Sequence, residues 1–226
     1  VQLLRPVREK PEGTKFDWEI ISEVSKRMGY KMEYRNASEI MDEIATVTPS
    51  YGGIHHNRLE EQGIQWPCPS NDHPGTKILH SGGIFGGRTS KKGLLSPVEY
   101  VPAKELPDNE YPFILTTGRI LFHYHSGNET RRVKVLDAFV PRNYVEISKE
   151  DAQNLGISNG DMVRVYTRRG SIEIQARISE KPKKGVVFIS FHFREANANE
   201  LTNAALDPIA KIPEFKVCAC NIEKIK

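Results

Sequence analysis

Apolar and polar positions along this chain follow two different periods. Trp18, Ile21, Val24 and Met28 fall near one face of a helix, with Thr14 and Asp17 as a capped start and Gly29 as the stop. A second helix is expected to open at Ser38, carry Ile40, Met41, Ile44 and Val47 on its apolar side, and end at Thr-Pro-Ser. From 49 to about 110 periodicity fades into Gly, Pro, Asn and His, with PCPSNDHPG and GGIFGG as punctuation, so an interdomain or functional wrap is expected. After Tyr111-Pro112 the period becomes two. PFILTTG, YVEIS, MVRVYT, SIEIQARI, GVVFIS and FKVCACNI read as strands, and Ser148 caps a brief helix closed by Gly156. Arg168-Arg169-Gly170 reads as a hairpin turn in which Gly supplies a positive φ. The last 115 residues therefore predict an all-β barrel with small helices.

Composition sets bounds on this picture. The chain has 226 residues, 38% hydrophobic and 27% charged, with 17 Gly and 14 Pro, which fits one or two ordinary globular domains. Its longest apolar runs, such as Val186 to Ile189, fall far short of the roughly 20 residues that cross a bilayer, so no membrane span is expected. It begins with Val rather than Met and lacks an opening apolar signal stretch, and is expected to be a piece of something longer. A net charge of +3 does not call for a nucleic-acid partner. Residues 161–184 hold 7 basic against 3 acidic side chains, and that half could hold an anionic ligand. Three cysteines, Cys68, Cys218 and Cys220, are an odd number and too few for a disulfide framework, which favours a reducing cytoplasm. Nor can they alone ligate a four-thiolate iron–sulfur cluster.

The candidate chemistry clusters in the second half. Thr116-Thr117-Gly118-Arg119 follows an apolar strand and leads into a loop with His123, Tyr124, His125, Ser126, Gly127 and Asn128, a donor-rich turn suited to phosphates or heterocycles. A surface turn would look the same. His123 and His125, two apart, would share a face on a strand; hydrogen bonding or ligand contact is favoured over a metal site, because no third ligand is near. Asn197, Asn199 and Thr202 could read a heterocycle edge or cap a helix, and Lys216 could neutralise a phosphate or stay solvated. Cys218 and Cys220 read as core, and Cys68, between two prolines, as part of a rigid loop.

Taken together, DWEIISEVSKRMGY, IQWPCPS, EYPFILTTGR, the EISKEDAQNLGISNGDMVRVYTRRGSIEIQARISEKPKKGVVFISFHF run, NELT and DPIAKIPEFKVCACNIE resemble the C-terminal portion of the molybdopterin oxidoreductases. Within that family the resemblance runs to the catalytic subunit of formate dehydrogenase. The resemblance implies a mixed α/β and β fold: a helical remnant of an α/β domain plus irregular linker over 1–100, then a double-psi β-barrel over 110–226. It implies bis-molybdopterin guanine dinucleotide carrying Mo or W, contacted by Gly118, Arg119, Ile120, His123, Tyr124, His125, His192, Asn199, Phe215 and Lys216. His192 and Phe193 stand where the family often has larger aromatics, and Ile120-Leu121-Phe122 departs from the nearest relatives. The family's metal ligand, catalytic histidine and iron–sulfur cysteines have no counterpart here, so no catalytic or metal-ligating residue is expected and the chain is expected to be inactive alone. The implied partners are the remainder of the catalytic polypeptide, electron-transfer subunits, and formate as substrate. The rival readings are the same barrel in a nitrate reductase or formylmethanofuran dehydrogenase, or a non-catalytic binding module.

Overall fold

The computed structural model describes residues 1–85 and 92–225 and divides into two compact units, Val1–Pro97 and Val98–Lys226. The GGIFGG stretch runs into 86–91 and so lies partly outside the described residues.

The first unit holds two α-helices and, among its described residues, no strand. Helix α1 spans Asp17–Arg27, but its N-cap is Phe16 rather than Thr14. Glu19 reaches back to accept the Phe16 N–H at 2.7 Å, while the Thr14 hydroxyl donates to the Pro11 carbonyl. Helix α2 spans Ala37–Val47 and is capped by Asn36 rather than Ser38, its side chain accepting the Glu39 N–H at 3.1 Å. Both helices are amphipathic as expected, yet the apolar face of α1 lies open: Ile21 is 60%, Val24 50% and Met28 81% exposed.

The wrap after α2 is ordered around one side chain. The Arg58 guanidinium donates to the carbonyls of Gly53, Ser70 (3.4 Å) and His73 (2.9 Å), tying together three stretches of a loop with no periodic pattern. Ile54, Leu59, Ile64 and Cys68 bury against one another beside it. A Cβ on Gly53 would lie 2.0 Å from the Ser70 carbonyl oxygen, so only glycine fits there.

The second unit is a closed six-stranded barrel in the order β1 (Phe113–Gly118), β5 (Val186–Ser190), β2 (Tyr144–Ile147), β4 (Ser171–Ile178), β3 (Met162–Tyr166), β6 (Cys218–Lys224). The β1/β5 and β2/β4 pairs are parallel and the others antiparallel. This is the double-psi barrel that the family resemblance implies. Alternate residues point inward, so Leu115, Val145, Val163, Val165, Val187, Ile189, Cys218 and Cys220 fill the interior with no exposure. Each such aliphatic side chain contributes about 1.5–3 kcal/mol by burial.

Two short helices join the strands, α3 (Lys134–Phe139) and α4 (Lys149–Asn154). Ser148 caps α4 as expected, accepting from Asp151 N–H at 3.1 Å. The Gly170 turn departs from expectation. Gly170 has no positive φ; a Cβ there would instead make a tight contact, 3.1 Å from the Glu200 carbonyl oxygen. Residues 98–111 belong to the barrel unit, anchored by Glu105, which accepts from Arg168 (2.9 Å), Arg169 (2.8 Å) and the Ala219 N–H (3.1 Å).

Candidate cofactor-binding site

Because β1 and β5 run parallel, their C-terminal ends emerge side by side, Gly118 opposite Ser190. The Phe191 N–H donates to the Gly118 carbonyl at 3.2 Å, extending the pair by one residue. Gly118 is fixed by crowding. A Cβ there would sit 2.7 Å from the Phe188 ring. On the opposite flank the Thr117 hydroxyl donates to the Phe215 carbonyl at 2.9 Å, and the Lys216 ammonium donates to the Thr117 carbonyl. The end of β1 is therefore the meeting point of Gly118, Arg119, Phe215 and Lys216, with His192 entering from the end of β5.

The loop that leaves β1 is held from within. His123 is 2% exposed, its Nε2 donating to the Val140 carbonyl at 2.8 Å and its Nδ1 meeting the Thr130 hydroxyl at 3.2 Å. Thr130 also accepts the Tyr124 N–H at 3.1 Å. The His192 ring accepts the Ile120 N–H at 3.2 Å through Nε2 and donates from Nδ1 to the His125 carbonyl. Tyr124 and His125 themselves point outward and are exposed. His123 and His125 thus do not share a face, because the segment is a loop with His125 at φ +48 and not a strand.

Two further residues brace the exit of β5. Buried Asn143 donates to the carbonyls of Ser190 (3.0 Å) and Ala196 (2.9 Å) and accepts from Ser190 Oγ at 2.8 Å. Arg131 lies over the Phe193 ring, 4.8 Å from its centroid, and grips Glu195 with bonds of 3.0 and 3.1 Å. That bond holds the Glu195 carboxyl below the usual carboxylate range. Asn143, Thr130 and Arg131 carried no local sequence signal: Asn143 binds backbone carbonyls of Ser190 and Ala196, Thr130 braces His123 and the Tyr124 N–H inside its own loop, and Arg131 reaches the Glu195 carboxylate and the Phe193 ring.

Arg119 is exposed and makes no hydrogen bond or ion pair among the described residues. It borders a cavity of about 420 Å³ shared with His123, Tyr124, His125 and Thr130, into which no carboxylate projects. It also borders a larger cavity of about 730 Å³ on the barrel's outer face. There Arg177 sits 4.0 Å above the Tyr144 ring, Lys181 and Lys183 rim the opening, and Glu146 is the sole carboxylate. Phe122 and Phe139, their rings stacked at 4.6 Å, line the same cavity. Asn199 stands apart, on an exposed turn of 3₁₀ helix over Ala198–Glu200, and no hydrogen bond among the described residues joins it to the Gly118–His125 loop or to Phe215–Lys216.

An unpaired guanidinium, a phenol, an imidazole and aromatic rings around a carboxylate-free cavity, with the Lys216 ammonium held at the end of β1, suit a ligand with phosphate oxygens and a polar heterocycle. That donor set fits a molybdopterin dinucleotide. The family model described as molydopterin dinucleotide binding domain matches residues 113–219, from the first residue of β1 into β6. The barrel belongs to that family.

Outside the matched segment, the likeness extends over the whole chain. It is 50% identical to the F420-dependent formate dehydrogenase subunit alpha of Methanocaldococcus jannaschii, over 100% of this chain and 33% of that protein. It is 36% identical to formate dehydrogenase H of Escherichia coli, over 93% of this chain and 30% of that protein. It is equally 36% identical to the assimilatory nitrate reductase catalytic subunit of Bacillus subtilis, over 98% of this chain and 32% of that protein. The chain thus spans about a third of the length of these relatives. Among solved structures, acetylene hydratase from Pelobacter acetylenicus superposes with a TM-score of 0.66 over 96% of this chain and 34% of that one at 17% identity, a likeness of fold alone. No helix among the described residues is long and apolar enough to cross a membrane.

Proposed function

We propose that this chain is the cofactor-holding C-terminal part of a formate dehydrogenase catalytic subunit. The observation that carries the reading is the set of free donors at the ends of β1 and β5, inside the segment that matches the molydopterin dinucleotide-binding family. The cofactor of the reading is bis-molybdopterin guanine dinucleotide with molybdenum or tungsten, which supplies a two-electron redox centre when bound. Arg119 grips phosphate oxygens with its planar fork, and Lys216 adds a second positive charge beside the end of β1. Tyr124 and His125 offer donors and ring faces to the heterocycle, while Ile120 and Gly118 bring the backbone close. Phe215 would lie close to the cofactor, and Asn199 would contact it from its separate turn. His123, with both ring nitrogens engaged inside the chain, contributes by shaping the loop.

In the parent enzyme of this reading, formate would lose two electrons and a proton to become carbon dioxide, and an iron–sulfur cluster in the remainder of the catalytic polypeptide would supply the route for those electrons toward electron-transfer subunits. The buried thiols of Cys68, Cys218 and Cys220, all unpaired, accord with a cytoplasmic setting. The same arrangement in a nitrate reductase is the second reading, favoured by the 36% identity to the Bacillus subtilis protein.

The test is purification of the polypeptide that carries these residues, with assay of molybdenum, tungsten and acid-released guanine nucleotide, dye-coupled formate oxidation and nitrate reduction. Bound metal with guanine nucleotide and formate turnover is the expected outcome. Nitrate reduction without formate oxidation overturns the formate reading, and absence of guanine nucleotide overturns the cofactor reading.

A further inference from the structure

His192 follows β5 directly and is 4% exposed, enclosed by Phe191 (ring centroids 4.8 Å apart), His123 (6.1 Å) and Phe193 (6.3 Å). Its two nitrogens reach both ends of one loop. Nε2 faces the Ile120 N–H, and Nδ1 faces the His125 carbonyl. One tautomer alone satisfies both: Nε2 must be bare to accept and Nδ1 must carry the proton to donate. Between these ties lie Tyr124 and His125, and just before them Arg119, the donors assigned to the cofactor. His125 holds φ +48 without being glycine, a conformation that persists only where its surroundings impose it.

We propose that His192 is a positioning residue: as the neutral Nδ1–H tautomer it clamps residues 120–125 into the shape that presents Arg119, Tyr124 and His125, without touching the cofactor itself. The role rests on the reading that this loop faces a molybdopterin dinucleotide.

The surroundings keep the ring neutral. Burial is the main cause that depresses its pKa, and the nearby His123, Arg119 and His125 act in the same direction against the His125 carbonyl. Beyond Gly127 stands Arg131, already paired with Glu195. A second proton would set an N–H against the Ile120 N–H and break that tie. His123 differs, since its Nδ1 meets a hydroxyl that can accept or donate. The clamp is therefore intact above the ordinary histidine pKa of about 6.5 and released as pH falls through the depressed value.

The test begins with the 226-residue chain without cofactor. Imidazole ¹⁵N shifts of His192 and amide exchange of Ile120 would be followed from pH 8 to 4. The expected result is a neutral Nδ1–H ring at pH 7, and loss of Ile120 protection that coincides with protonation of His192. His192→Phe keeps the aromatic packing and lacks both ties, so exchange across 120–125 should rise at least tenfold while β3 and β4 stay protected. His192→Gln places an acceptor near the Nε2 position and should restore Ile120 protection in part. An Nε2–H or charged ring at pH 7, or Ile120 protection unchanged in His192→Phe, overturns the clamp. If His192→Phe also unprotects β3 and β4, the tautomer and pH titration of the unaltered chain decide alone. In the cofactor-bearing enzyme, His192→Phe should lower occupancy at limiting cofactor at least tenfold, and His192→Gln less. An intact clamp in the exchange data with no effect on occupancy overturns its positioning role. Absence of cofactor from the unaltered enzyme instead overturns the functional reading and leaves the exchange results to judge the clamp.

Discussion

Replacing Arg119 by alanine removes a guanidinium that nothing in the described chain holds, at the boundary of two cavities and beside the end of β1. Because the side chain is exposed and has no partner among the described residues, the barrel should keep its stability to within about 0.5 kcal/mol. The loss falls on binding instead. A hydrogen bond to a charged group is worth about 1.5–3 kcal/mol, and each 1.4 kcal/mol is about a factor of ten, so cofactor affinity should drop roughly ten- to hundredfold. Arg119→Lys keeps the charge and forfeits the fork, and should fall between the two. Arg142→Ala, an exposed arginine outside the loop, serves as the control. Metal and guanine nucleotide per polypeptide would be measured in the cofactor-bearing enzyme under limiting cofactor. Equal occupancy in Arg119→Ala, Arg119→Lys and Arg142→Ala would refute the assignment of Arg119 to the phosphates.

The open apolar face of α1 predicts weak amide protection in 17–27 and 37–47 relative to β3 and β4 when the chain is studied alone; equal protection would show that those faces are covered. Glu105→Gln should destabilise the barrel unit by about 1–3 kcal/mol in denaturant titrations, because two arginines and the Ala219 N–H lose a charged acceptor. Burial raises the Glu105 pKa, but the bonds from Arg169, Ala219 and Arg168 outweigh it and leave the pKa below 4.5. That contribution is therefore full above pH 4.5 and lost as pH falls through the lowered value, and a pH–stability profile of Glu105→Gln should lack this drop. Cys220, its thiol pushed up to about 12 by burial, should resist alkylation at pH 8 in the folded chain and react only in denaturant; rapid labelling of folded protein would contradict the barrel interior drawn for β6.

Strand and helix positions were legible because period two and period 3.6 survive in short segments bounded by Gly, Pro and cap residues. The caps were less so. Ser38 and Asn36 are both good N-caps two residues apart, and the choice fell to whichever side chain reached the Glu39 N–H. The positive φ read for Gly170 was not there, and the crowding it meets instead could not be read locally, since the nearby Glu200 belongs to a distant turn. The Arg58 hub left no trace in the sequence because one guanidinium serving three carbonyls has no period. At the site, a strand ending in Gly-Arg before a donor-rich loop was readable. The inward turn of His123 and the double reach of His192 were not, because both depend on how β1 and β5 come together.

The pairing that builds the site also dates it within the folding of the chain. Thr117 meets Phe215 across 98 positions, and Ile120 meets His192 across 72. Neither contact can form before the strands that carry it have found their neighbours, and bringing such distant segments together is the slow, entropically costly part of making a barrel. A half-folded chain therefore has no partial version of this loop to offer a ligand. Any cofactor bound there selects molecules in which β1, β5 and the approach to β6 have already joined, and holds them in that state by mass action.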